Sequence, residues 1–230
     1  MIQAARYFGA HHGPLVVLLQ GVTAPGDQLV PVAQSLAARP QLARVRFAVP
    51  EAPLELEGFA GGRSWWPVPI GRLVRARALG QPSDLTRDRP AGMDAARAQL
   101  EAWIAGEAGA DPATPVLLVG YSQGAMLACE YALREPRRLA GIVLLSGTIV
   151  GEDDWTPRLP RLAGLPVLMT HGASDPVLLH ATAVRLRDAL SGAGARVTWL
   201  EYEGGHELAD VAVAATGDWL VSVLSSPSAR

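Results

Sequence analysis

Six short apolar runs constrain this chain more than any other feature. They are "VVLLQG" (16–21), "VRFAVP" (45–50), "PVLLVG" (115–120), "GIVLLSG" (141–147), "PVLMTHG" (166–172) and "RVTWLEY" (196–202). Each is continuous or nearly so, which is how a strand reads when both of its faces are covered. Segments of helical length fall between and after them, at 27–40, 93–107, 125–135, 176–192 and 207–224. Asp27 stands in an N-cap position for the first. Strand–helix alternation along the whole length predicts one doubly wound α/β domain over 1–225, with a mostly parallel central sheet and helices on both faces. An opening strand near "ARYFG", turned by "AHHG" into the next, is expected as an antiparallel edge, with His11 and His12 as turn residues. Residues 51–90, dense in Pro, Gly and Arg, read as a long loop or insertion over the sheet. Residues 226–230 read as a frayed tail.

Composition removes several classes of function. The chain has 230 residues and is 49% hydrophobic, enough for one large core and too apolar for a disordered chain. A formal net charge of −2 gives no electrostatic reason to expect nucleic acid as a partner. All 20 basic residues are arginine, so Schiff-base chemistry and a lysine phosphate loop have no residue to use. The single cysteine, Cys129, cannot form an internal disulfide and reads as a small buried apolar residue. A reducing, cytoplasmic location is the corresponding expectation. No stretch approaches the roughly 20 apolar residues of a membrane span. No HExxH or paired metal-ligand spacing is present, and neither a metal nor an organic cofactor is expected.

The stretch "PVLLVGYSQGAMLACEYALRE" (115–135) reads as strand, tight turn and helix, with Ser122 at the turn. Gly120 and Gly124 flank it where side chains would collide as strand and helix meet. A serine there sits at a helix N-terminus, where free N–H groups and the helix dipole face a developing oxyanion, and the N–H of Gln123 is the natural donor. The plainer reading is a capping serine between packing glycines. A nucleophilic serine needs a base, and the base needs an orienting group. Among the histidines, His11 and His12 lie in the early turn, His180 falls inside a predicted helix, and the His171 ring could support the loop after its strand. His206 follows "YEGG" directly after the last strand, at the sheet's carboxyl edge. For the orienting acid, Asp175 lies just past "PVLMTHG" at the same edge, although Asp175–Pro176 also suits a helix start. Asp153, Asp154 and Asp210 are the alternatives. The order Ser–Asp–His on successive late loops favours Ser122, Asp175 and His206 as a triad. A second oxyanion donor is expected after an early central strand, and in "VVLLQGVTAPGD" that is the N–H of Val22, beyond Gly21.

Taken in order, "LLQGVTAPGDQL", "SWW", "MDAARAQLEAWI", "GYSQGAMLACEYAL", "VLLSG", "HGASDPVLL" and "YEGGHEL" resemble the α/β-hydrolase superfamily, and within it the carboxylesterase and acyl-protein thioesterase (phospholipase/carboxylesterase) family. The resemblance implies a single-domain α/β-hydrolase fold. It implies Ser122, Asp175 and His206 as the triad, and the N–H groups of Val22 and Gln123 as the oxyanion hole. It also places Trp65 or Trp66 near the acyl site and is compatible with a homodimer. One departure is Gln20, where the family usually carries histidine before the oxyanion-loop glycine.

The chemistry expected is two-step acyl transfer on a small-molecule carboxylic ester of small to medium acyl chain, with thioesters as a further substrate. Activity should rise through roughly pH 6 to 8 as the imidazole base becomes neutral. Trp65 and Trp66 could line an acyl groove or pack the loop onto the sheet. Arg72, Arg75 and Arg77, in the arginine-rich stretch 72–89, could bind an anionic substrate group or form a solvated face. Acyl-protein thioesterase or lysophospholipase activity, and a non-catalytic ligand-binding protein on a hydrolase scaffold, are the competing readings.

Overall fold

The six apolar runs all form strands, and those in the middle have no exposed side. The computed structural model describes residues 1–2, 4–79, 83–108, 113–134 and 139–226, leaving aside the side chains of residues 72, 73, 76 and 77. In chain order the elements begin with β1 (Ala5–Gly9), β2 (Leu15–Leu19), α1 (Val30–Ala37) and β3 (Arg46–Pro50). Two-residue strands β4 (Leu54–Glu55) and β5 (Arg63–Ser64) and helices α2 (Ile70–Ala78) and α3 (Met93–Ala108) follow. The second half holds β6 (Val116–Tyr121), α4 (Gln123–Arg134), β7 (Gly141–Leu145), the single turn α5 (Glu152–Trp155) and β8 (Pro166–Gly172). It ends with α6 (His180–Gly192), β9 (Arg196–Tyr202) and α7 (Asp210–Ser225). Seven strands make one sheet in the order β1-β3-β2-β6-β7-β8-β9. Every pair in it is parallel except β1 with β3.

Continuous apolarity follows from this layering. Leu15, Val17 and Leu19 of β2 enter one core cluster with Trp65, Met93 and Leu100, whereas Val16 and Leu18 enter the other with Leu29, Leu36 and Leu220. All five β2 side chains are buried, each contributing about 2 kcal/mol of apolar burial. The outer strand β9 covers fewer side chains and alternates more, as an edge should.

The structure departs from the sequence expectations at four places. β1 is an antiparallel edge, but it pairs with β3, from Ala5 opposite Pro50 to Gly9 opposite Arg46, and is not turned into β2. Both edges of β2 are already taken by β3 and β6. α1 starts at Val30 without a side-chain cap, and Asp27 contributes its backbone carbonyl to Val30 N–H at 2.9 Å. α6 starts at His180, four residues later than Pro176, because Asp175 Oδ1 draws the N–H groups of Val177 and Leu178 into a turn of their own at 2.7 and 2.9 Å. The stretch 51–90 is not irregular throughout: it holds the β4–β5 ribbon and α2. It then crosses the carboxyl edge of the sheet, where Ser83 N–H reaches Val177 O and Glu152 N–H reaches Thr86 O, both at 2.7 Å. Of the expected tail, residues 227–230 lie outside the described residues.

Candidate active site

Ser122 follows β6 immediately and takes φ +54°, in the left-handed region. For a residue with a Cβ this costs about 1–3 kcal/mol and persists only where the surroundings enforce it. They do so here from both sides. Ser122 N–H donates to Leu145 O of β7 at 2.9 Å, while its carbonyl accepts from Ala125 and Met126 in the first turn of α4. A Cβ on Gly124 would lie 2.0 Å from Leu19 O, and one on Gly120 would lie 2.2 Å from Gly124 O, so helix and strand can approach only with glycine at both positions. Among the described residues the other non-glycine positive φ values belong to Thr23 and Ser146, beyond the carboxyl ends of β2 and β7, the two strands flanking β6. The strain is concentrated at one edge of the sheet.

The structure brings the three expected side chains together at that edge. His206 Nε2 is 2.8 Å from Ser122 Oγ, and His206 Nδ1 is 2.7 Å from Asp175 Oδ2. With a carboxylate as its partner, Nδ1 carries the proton, leaving Nε2 to accept from the serine hydroxyl. The Asp175 side chain has no exposed surface and the His206 side chain is only 8% exposed. Burial alone would push the Asp175 carboxyl up. The hydrogen bond and charge from His206 and the N–H groups of Leu178 and Val177 outweigh it, holding the group below its ordinary value.

The loop carrying His206 is fixed by its neighbours. Gly172 packs against Gly204 and Gly205 so closely that a Cβ on Gly172 would lie 2.3 Å from Gly205 O, and Ser174 N–H donates to Gly204 O at 2.9 Å. Tyr121 Oη donates to His206 O at 2.9 Å, and Tyr202 Oη donates to Glu207 O at 3.0 Å. His171, one residue before the end of β8, is fully buried.

Val22 and Gln123 both line the cleft beside Ser122. Gly21 N–H donates to Gln28 Oε1 and Thr23 N–H to Arg63 O, which fixes the loop on either side of Val22. Gln20 is fully buried and braces the same loop: Nε2 donates to Ala24 O at 2.9 Å, and Oε1 accepts from Ala52 N–H at 3.2 Å. The Gln123 side chain faces the other way, its Oε1 accepting Trp65 N–H at 2.9 Å and its amide meeting Ser64 Oγ at 3.0 Å.

The cleft has a volume of about 610 Å³ and is largely apolar, with Trp66, Val68, Leu85, Met126, Val177 and Leu178 on its walls. The two tryptophans separate in role. Trp66 lines the cleft, whereas Trp65 is buried behind it and donates Nε1–H to Gln20 O at 3.0 Å. Arg75 reaches the rim with Asp84 and Asp88; the side chains of Arg72 and Arg77 lie outside the described residues. Among the described residues no group of three or more His, Cys, Asp and Glu is arranged to hold a metal ion. No described helix is long and apolar enough to cross a membrane.

A model of the phospholipase/carboxylesterase family matches residues 9–223. The chain belongs to that family. It is a hydrolase enzyme, and the α/β-hydrolase fold expected from the sequence is the fold observed. A probable carboxylesterase of Oryza sativa subsp. japonica is 27% identical over 219 residues, covering 91% of this chain and 88% of that protein. Acyl-protein thioesterase 1 of Neurospora crassa is 26% identical over 205 residues, covering 86% and 81%. The crystal structure of esterase PE8 superposes with a TM-score of 0.79 at 26% identity, covering 96% of this chain and 99% of that one.

The residues that tie the end of the stretch over the sheet to helices α3, α4 and α5 carry no motif in the sequence. Arg89, near the end of the stretch over the sheet, binds Glu130 at 2.9 Å, Asp154 at 2.8 Å and Asp94 at 2.6 Å. Arg134 also pairs with Glu130 and Asp154, and Trp155 donates Nε1–H to Glu130 at 2.7 Å. Glu130 is completely buried. A lone carboxylate inside the apolar helix "AMLACEYAL" is the signal that could have announced a buried ion-pair hub.

Proposed function

We propose that the protein hydrolyses carboxylic esters of small to medium acyl chain, and thioesters of similar acyl group, by a Ser122–His206–Asp175 acyl-enzyme mechanism. His206 takes the Ser122 proton as Oγ attacks the carbonyl carbon, and the N–H groups of Val22 and Gln123 receive the developing oxyanion. The protonated imidazole, stabilised by Asp175, then gives its proton to the departing alkoxide or thiolate. Water activated by the same ring releases the acid and restores Ser122. The single observation that carries this reading is the continuous hydrogen-bonded row from Asp175 to Ser122, at 2.7 and 2.8 Å, opening onto an apolar cleft. Family membership supports the ester or thioester class. The walls formed by Trp66, Val68, Leu85 and Met126 suit an alkyl chain, and a volume near 610 Å³ lies within the usual range for small-molecule sites.

The test is hydrolysis of p-nitrophenyl esters of graded chain length, with the matching acyl thioesters in parallel, for wild type and Ser122→Ala. Turnover by wild type, with an optimum at short or medium chains and loss in the variant, is expected. A folded wild type inert on both series would remove the substrate reading.

A further inference from the structure

His171 occupies a position that the proposed mechanism leaves unexplained. It sits one residue before the end of β8, with no exposed surface, four residues from Asp175. Its Nε2 is 3.3 Å from Asp175 Oδ2 and 3.3 Å from Leu178 O. Both neighbours are acceptors, so Nε2 must carry the proton for either contact to be favourable. Its Nδ1 is buried and has no hydrogen-bond partner among the described residues. A protonated Nδ1 would be a buried donor with nowhere to donate, which selects the neutral ring with hydrogen on Nε2. Burial, the largest influence, accordingly holds the ring's proton affinity below the ordinary imidazole value, against the opposing charge of Asp175.

We infer that His171 is a positioning residue for Asp175: its Nε2–H, hydrogen-bonded to Leu178 O, stands 3.3 Å from the same carboxylate oxygen that receives Nδ1–H from His206 and stabilises the charge on it. The inference rests on the triad reading above. Three hydrogen bonds hold the carboxylate, from Val177 and Leu178 N–H on Oδ1 and from His206 on Oδ2, and the His171 Nε2–H lies beside Oδ2 as an electrostatic contact. The first two fix the plane of the group. The two histidines compete for one oxygen, so His171 limits how much negative charge Asp175 presents to His206. Without His171 the carboxylate would bind a protonated His206 more strongly, and more base would be needed to free it for catalysis.

The other charged and titratable groups near this pair are on α6, on β9 and in the loop that follows β9. His180 at the start of α6 stacks edge-on against His171 with ring centroids 5.8 Å apart, and pairs with Glu201 of β9 at 2.6 Å. Tyr202 of β9 also feels the Asp175 charge, and with it that of Glu207. The polar row thus continues outward from Ser122 through His206, Asp175 and His171 to the partly exposed pair of His180 and Glu201.

The experiment compares kcat/KM against pH for wild type, His171→Gln and His171→Leu, beside Ser122→Ala. Glutamine places an N–H donor where Nε2 stood, and leucine fills much of the space without one. The leucine variant is expected to move the acid limb of the profile to higher pH by about half a unit, with the glutamine variant restoring the wild-type limb. The 15N shifts of His171 in the wild-type protein should report the Nε2–H tautomer, a reading that needs no variant to fold. A leucine limb superimposed on wild type, a glutamine limb displaced as far as leucine's, or the Nδ1–H tautomer would each overturn the inference while leaving a Ser122-dependent activity standing. Turnover that survives in Ser122→Ala would instead remove the triad reading, and this inference with it.

Discussion

Ser122 is held by residues close to it in the chain or on adjoining strands, whereas the cleft it opens onto is walled by Trp66–Pro69, Leu79, Ser83–Leu85 and Pro90–Ala91 together with Met126, Val177 and Leu178. The first region depends on backbone: a left-handed φ, two glycines without tolerance for a Cβ, and main-chain hydrogen bonds from β7 and α4. The second depends on side chains and on a few distant anchors, chiefly Arg89 on Glu130 and Ser83 on Val177. A reacting serine must stay within a fraction of an ångström of its base, and backbone is the stiffest material available. A wall that decides which acyl group enters can vary without disturbing that alignment. On the proposed mechanism, rate rests with the turn and selectivity with the wall.

The largest effect should come from the turn: Ser122→Ala lowers kcat by about 10⁴-fold or more with an unchanged unfolding midpoint, and retention of activity would end the assignment. Glu130→Ala strips the buried hub of its central carboxylate and should cost about 3 kcal/mol of stability, measured by urea unfolding. If the wall is as separable as the comparison holds, this variant raises KM for longer esters more than it lowers kcat.

Met126→Trp should narrow the cleft, lowering kcat/KM for hexanoate and longer esters by about tenfold while leaving acetate nearly untouched. A uniform loss over all chain lengths would mean that Met126 serves the turn instead. The smallest effect concerns acid. His171 is held neutral by burial, so the unfolded chain takes up a proton below about pH 6.5 that the folded protein resists. Stability should fall as pH is lowered through that value, by at most about 1.4 kcal/mol per pH unit for the one proton, and His171→Gln should remove this component. Asp175, held below its ordinary carboxyl range, adds its own loss only when pH falls below about 3.9. Urea midpoints followed from pH 7 down to about pH 3 separate the two.

Some of this was readable in the one-dimensional pattern. Runs such as "VVLLQG", short and punctuated by glycine, read as doubly covered strands, and "GYSQG" between a strand and a helix specifies a sharp turn through its glycines. These are local statements, fixed by neighbouring residues through sterics and solvation. "HGASD" and "YEGGH" placed Asp175 and His206 at the right edge because position in a parallel sheet follows from strand order and direction. That their side chains meet at 2.7 Å follows only once Gly172 lets the two loops pack.

Other features were settled in three dimensions alone. Trp65 and Trp66 are adjacent and chemically identical, yet one braces Gln20 and the other faces the cleft, because neighbouring residues point to opposite sides and only the packing says which side is which. β1 chose β3 over β2 because β2 had no free edge. The Asp175 turn delayed α6 to His180, overriding the helix start written in Asp-Pro. The strands, the tight serine turn and the order of the polar residues are products of short-range physics and are written in the chain. The tertiary structure decided which side chains share a carboxylate and what walls the cleft. Those outcomes depend on which distant surfaces are left over after the core has closed.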